Sequence, residues 1–92
     1  MIYTLELTSL AEKQLREWRK SGQLKTLNKI ITLFEELRLH PTTGTGQVEQ
    51  LKGDYSGLWS RRIDKNSRMI YSIHDRTVTV TVISLKGHYG DK

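Results

Sequence analysis

Apolar positions along the chain change their period several times. Ile2–Leu7 (IYTLEL) alternates weakly and predicts a short first strand. Ser9 followed three residues later by Glu12 has the form of a capping box, in which each side chain satisfies a backbone N–H at a helix start. Beyond it, Leu10, Ala11, Leu15 and Trp18 fall on one helical face, with Glu12, Lys13, Arg16 and Arg19 largely elsewhere. Gly22 interrupts the pattern and marks a turn. A second helix then carries Leu24, Leu27, Ile30, Ile31, Phe34 and Leu37 at spacings of three and four, and stops at His40 because Pro41 disfavours helical geometry before it. So brief a connection requires the two helices to lie roughly antiparallel.

The remainder alternates with a period of two. PTTGTGQ (41–47) is a loop by composition, and VEQLK (48–52) a short strand. LWSRRI (58–63), RMIYSI (68–73) and TVTVTVI (77–83) predict three more strands, separated by GDYSG, DKNS and HDR. In the last strand Val78, Val80 and Val82 share one face and Thr77, Thr79 and Thr81 the other, the pattern of a strand with one side on a core and one on water. The order predicts a single α+β domain over residues 1–92. Its N-terminal strand and two-helix hairpin pack on one face of a mostly antiparallel sheet of four to five strands, and the opposite face stays open for polar chemistry.

Composition narrows the functions. Ninety-two residues leave no room for a second core or a large cofactor-binding domain. With no cysteine, disulfides, thiolate nucleophiles and thiolate zinc sites are excluded. No basic start with a sustained apolar run opens the chain, and no stretch approaches the roughly 20 apolar residues of a membrane span, so a cytoplasmic location is expected. A formal charge of +5 suggests a polyanionic partner, RNA or DNA, or an acidic protein segment.

Several polar residues stand in strand positions. Glu49 lies in the short strand, Arg61, Arg62 and Arg68 on or at the start of the middle strands, and His88 and Tyr89 just after the last. A carboxylate and an imidazole serve as base and acid, and a guanidinium holds a phosphate. Cutting RNA needs these three functions and no metal or other cofactor. A base deprotonates a 2′-hydroxyl, a cation stabilises five-coordinate phosphorus, and an acid protonates the leaving 5′-oxygen. Taken singly, each residue has a plainer role. Glu49 reads as a solvated edge charge, Arg61-Arg62 as a surface basic pair, Arg68 as a partner of Asp64 or Asp75, and Tyr89 as a plug on the sheet edge. Trp59 is placed to stack a base, or equally to pack on the core. Trp18 is packing, and His40 and His74 have no chemical company.

The combination resembles the YoeB toxins of the RelE superfamily, the toxin halves of bacterial toxin–antitoxin pairs. The residues that carry the resemblance are Glu49-Gln50-Leu51-Lys52, Ser56-Gly57-Leu58-Trp59-Ser60-Arg61-Arg62-Ile63, Arg68-Met69-Ile70-Tyr71 and the closing His88-Tyr89. The resemblance implies a RelE-like fold and a ribosome-dependent mRNA endonuclease that cuts the message in the decoding site. It casts Glu49 as general base, His88 as general acid, Arg68 as the brace of the phosphate and Tyr89 as an orienting residue. Lys52, Trp59, Arg61 and Arg62 match positions near the RNA path. It further implies a cognate antitoxin with an acidic segment that folds on binding, contact with ribosome and mRNA, and room for a homodimer. Val48 and Gln50 replace flanking prolines of the family pattern, Gly87 replaces an aromatic or a charge, and Gly90-Asp91-Lys92 extends past the tyrosine. Two alternatives stay open: a same-fold gyrase inhibitor of the ParE kind, and a non-catalytic module that binds RNA or the ribosome.

Overall fold

Thr8, rather than Ser9, opens the first helix. In the computed structural model, which describes residues 1–87, the Thr8 hydroxyl accepts from the Ala11 N–H at 3.1 Å, and the Thr8 carbonyl takes the Glu12 N–H. The capping box read at Ser9 and Glu12 does not form: the cap is Thr8, and the third helical position behind it is Ala11, which has no side-chain acceptor. Threonine caps as serine does, and here its hydroxyl has a second use, donating to Ile83 O at 2.7 Å.

Strand β1 (Thr4–Leu7) leads into helix α1 (Ser9–Lys20), and Gly22, at φ +78°, turns the chain into α2 (Leu24–Leu39). α2 stops where Pro41 requires, with His40 as its C-terminal cap. Its buried face is Ile30, Leu33, Phe34 and Leu37, whereas Leu24 and Ile31 are exposed. The period-3.6 reading was right in kind but rotated, because Leu33 takes the central place.

Strands β2 (Glu49–Gln50), β3 (Leu58–Arg62), β4 (Arg68–His74) and β5 (Thr79–Gly87) complete a five-stranded sheet in the order β1-β5-β4-β3-β2. All neighbours are antiparallel except β1 and β5, whose parallel register runs from Thr4↔Thr79 to Leu7↔Val82. The helical hairpin covers one face. Ala11, Trp18 and the buried face of α2 meet Met69, Tyr71, Val80, Val82 and Leu85 in one core. At about 25 cal/mol per Å² of apolar surface removed from water, this contact is the main stabilising term. Val78 does not join the valine row. It sits in a left-handed conformation (φ +50°) closing the short 3₁₀ turn Asp75–Thr77, so β5 starts at Thr79.

The face away from the helices is less open than its alternation predicts. Ser60, Ile70 and Ser84 form a row across β3, β4 and β5, and all three are buried. β5 also departs from even pairing. His74↔Thr79 through Tyr71↔Val82 are in regular register, but Ile70 then faces Ser84, and Arg68 faces Gly87. One extra β5 residue enters at each of the two shifts. Had the first register continued, Leu85 would oppose Arg68. Bulges of this kind re-aim side chains and occur disproportionately beside functional sites.

Candidate active site

β2, β3 and β4 bring a carboxylate and two guanidinium-bearing residues together. Glu49 pairs with Ser60, and Arg62 pairs with Arg68, so alternation puts Glu49, Arg62 and Arg68 on the face away from the helices. Glu49 Oε1 lies 3.8 Å from Arg68 Nη1, with the Glu49 side chain 56% exposed and that of Arg68 14%. This is a loose, half-solvated ion pair rather than a locked one. Glu49 keeps more than half of its side chain open to solvent.

Arg62 and Arg68 are directly opposed in the register, and both are only half-buried. Like charges directly across an antiparallel pair destabilise a sheet. Two guanidinium groups so placed form a natural cradle for one anion, and a carboxylate beside them supplies a proton acceptor. Gly87, a residue without a side chain, stands opposite Arg68 on its other flank, and His88 follows it in the chain. His88 and Tyr89, proposed from the sequence as acid and orienting residue, lie outside the described residues.

The four residues matched to the RNA path separate. Lys52 is exposed at the start of the β2–β3 connection, two residues beyond β2. Arg62 belongs to the cradle. Trp59 is on the other face: it pairs with Tyr71, packs against the core, and borders a groove of about 540 Å³ with Tyr3, Pro41 and Ile73. It therefore does not share a surface with Glu49 and Arg68.

Arg61 requires a correction, because it is completely buried and cannot touch RNA. All five of its N–H donors are used. Nε donates to Tyr71 Oη at 3.3 Å. Nη1 donates to Glu36 Oε1 at 2.8 Å and Thr45 O at 3.3 Å, and Nη2 to His40 O at 2.6 Å and Thr43 O at 2.8 Å. Tyr71 Oη in turn donates to Pro41 O at 2.7 Å, and burial raises the Tyr71 pKa despite the nearby guanidinium. Burial also pushes the Glu36 carboxyl up, but hydrogen bonds from Thr45 and the Arg61 charge outweigh it and hold its pKa below the ordinary value. Arg61 thus ties the end of α2 and the loop after it to the sheet, and that loop leads directly into Glu49. The sequence contained the signal. Trp59, Arg61 and Ile63 share one face of the strand, which aims Arg61 at the core.

A RelE-type toxin is the class of protein that this hairpin-on-sheet architecture, with its basic and acidic cluster, describes. The comparisons identify the family: residues 8–89 match the profile of the YoeB-like toxin of bacterial type II toxin–antitoxin systems, and the chain belongs to that family. A Synechocystis protein, Toxin YoeB, is 38% identical over 72 residues, covering 78% of this chain and 81% of that one. Among solved structures, the YoeB/ParE toxin from Agrobacterium tumefaciens is 30% identical, with a TM-score of 0.85 over 94% of this chain and 99% of that one. A chain of the heterotetrameric YoeB–YefM toxin–antitoxin complex from Staphylococcus aureus is 26% identical. Its TM-score is 0.79, over 97% of this chain and all of that one.

Proposed function

We propose that this toxin is a metal-independent endoribonuclease that cuts messenger RNA in the ribosomal decoding site and so halts translation in the cytoplasm. The observation that carries the reading is the cluster of Glu49, Arg62 and Arg68 on one face. Glu49 stands 3.8 Å from Arg68, and the two arginines are opposed across β3 and β4.

In this scheme the scissile phosphate lies between the guanidinium groups. Glu49 takes the proton of the 2′-hydroxyl, and the 2′-oxygen attacks phosphorus. Arg62 and Arg68 stabilise the added negative charge of the five-coordinate species. The P–O5′ bond breaks as His88, next to Gly87 in the chain, gives its proton to the leaving 5′-oxygen. The products are a 2′,3′-cyclic phosphate and a 5′-hydroxyl. Tyr89 orients the substrate, and exposed Lys52 adds positive charge along the RNA path. The partner that silences the toxin is a cognate antitoxin whose acidic segment orders on the basic surface. The YoeB–YefM complex of the S. aureus relative supports that pairing.

The test is primer extension on a message translated in a reconstituted system, alongside a gyrase supercoiling assay. The wild-type protein should create new 5′ ends within translated codons and leave supercoiling untouched. Glu49→Gln and Arg68→Ala should lower the cutting rate by at least a hundredfold while staying folded. Cutting that persists at the wild-type rate in both variants, or gyrase inhibition without new RNA ends, would overturn the reading.

A further inference from the structure

A polar groove lies on the same face of the sheet as Glu49, Arg62 and Arg68. Arg68, Ile70, Ser72 and His74 alternate onto that face of β4, so the surface runs on from the cradle for about 20 Å, at roughly 3.4 Å per strand residue. At its far end Ser72 pairs with Thr81 and His74 with Thr79, and on the other side of β5 Thr81 pairs with Glu6. Glu6, His74, Arg76, Thr79 and Thr81 line a groove of about 590 Å³, a volume typical of small-ligand sites. The threonines are half-buried and make a floor of short side chains, whereas Glu6, His74 and Arg76 are exposed.

His74 has no chemical company in the sequence, but the strand supplies it: Ser72 Oγ lies 2.9 Å from His74 Nε2. A neutral imidazole and a hydroxyl hold one donor proton each, and their mutual bond uses one of the two. The pair therefore keeps a donor in either tautomer. Asp75, also in the groove, accepts from the Tyr3 hydroxyl at 3.0 Å. This set suits a nucleoside better than a bare phosphate, because an anion would meet two carboxylates and one arginine. A base with its ribose offers amino and hydroxyl donors to a carboxylate, acceptors to hydroxyls and imidazole, and a flat face to the imidazole ring, which is how single-stranded RNA is read.

We propose that the groove is a subsite for the base and ribose of a message nucleotide flanking the cut. Glu6 accepts an exocyclic amine of the base and His74 stacks on its face, so an amine-bearing base is preferred to uracil there. The inference rests on the nuclease reading above, since the face shared with the cradle is what makes a message the ligand.

The test is single-turnover cutting on ribosomes programmed with messages that differ in one base at each position flanking the cut. The saturated rate and the half-saturating toxin concentration are read separately, and circular dichroism verifies that each variant is folded. At one position the wild type should favour adenine, cytosine or guanine over uracil by about tenfold, the scale of one hydrogen bond to a charged group. Glu6→Gln should compress that preference to within about twofold, because an amide presents donor and acceptor alike and satisfies either kind of base. His74→Ala should raise half-saturation about fivefold or more, as loss of stacking does, with the saturated rate changed less than about twofold. A wild type indifferent to every flanking base, a folded Glu6→Gln protein with the wild-type preference, or a folded His74→Ala protein with wild-type half-saturation would overturn the subsite and leave the nuclease reading standing. A wild type that makes no cuts would instead remove the nuclease reading, and the subsite with it.

Discussion

Replacing Arg61 with lysine separates a structural arginine from an RNA contact. The side chain is fully buried, and its five N–H groups reach Glu36, Tyr71 and the carbonyls of His40, Thr43 and Thr45. A lysine ammonium is a single point with three donors and cannot span acceptors that surround a planar fork. At least two acceptors lose their partners, while Glu36 keeps the Thr45 N–H. Each buried acceptor left unsatisfied costs about 1–3 kcal/mol, so two cost roughly 2–6 kcal/mol. The Glu36 side chain is 25% exposed and water recovers part of the loss, so about 3 kcal/mol is expected. Against a total stability of about 5–15 kcal/mol, this is a large fraction. In a domain of this size it lowers Tm by roughly 12–24 °C. The assay is urea unfolding followed by tryptophan fluorescence, with the wild type and Arg61→Lys compared under one set of conditions. A loss below about 1 kcal/mol at unchanged m-value would refute the clamp.

Acid should weaken the same clamp. Because the folded Glu36 pKa lies below its ordinary value of 4.5, the stability it confers is complete above that value and is lost as pH falls through the folded pKa; the wild-type advantage over Glu36→Gln should therefore narrow only below about pH 4.5 in urea titrations. Thr8→Ala should cost about 1–2 kcal/mol in the same assay, and Ser9→Ala less than about 0.5, with the reverse order refuting the observed cap. Gly46 sits at φ +93°, and an added Cβ would stand 3.0 Å from Arg62 O and 3.3 Å from Arg61 Cβ. Gly46→Ala should accordingly destabilise by about 1–3 kcal/mol, and an unchanged Tm would refute the close approach.

How much was legible in the sequence depended on whether a signal was local. Periodicity and Pro41 located α2, and the alternation of Val80 and Val82 located the core face of β5, because both effects act within a turn or a strand. Local signals misplaced what long-range contacts decide. Thr8 displaced Ser9 as the cap because its hydroxyl also reaches Ile83 across the chain. Leu33 displaced Ile31 on the buried face because the sheet sets the rotation of α2. The two bulges of β5 left no mark in a strand that reads as regular. For the site, residue type singled out Glu49 and Arg68, and the coupled motifs strengthened the choice. Arg61 and Arg62 are neighbours with identical chemistry, and only the pleat sends one into the core and the other to the cradle. The register opposing Arg62 to Arg68 is a property of the β3–β4 pairing and is not written at either position alone.

The parallel pairing of β1 with β5 also governs when the molecule can come into being during synthesis. The helical hairpin emerges early, yet the valines and leucine it must cover, Val80, Val82 and Leu85, are made only after β2, β3 and β4. At about 5–20 residues per second, the growing chain spends seconds with that hairpin unroofed. Non-local pairings close late, so a half-made chain carries no finished fold. Until β5 joins β1, the apolar faces of both helices stay open to any surface that will cover them.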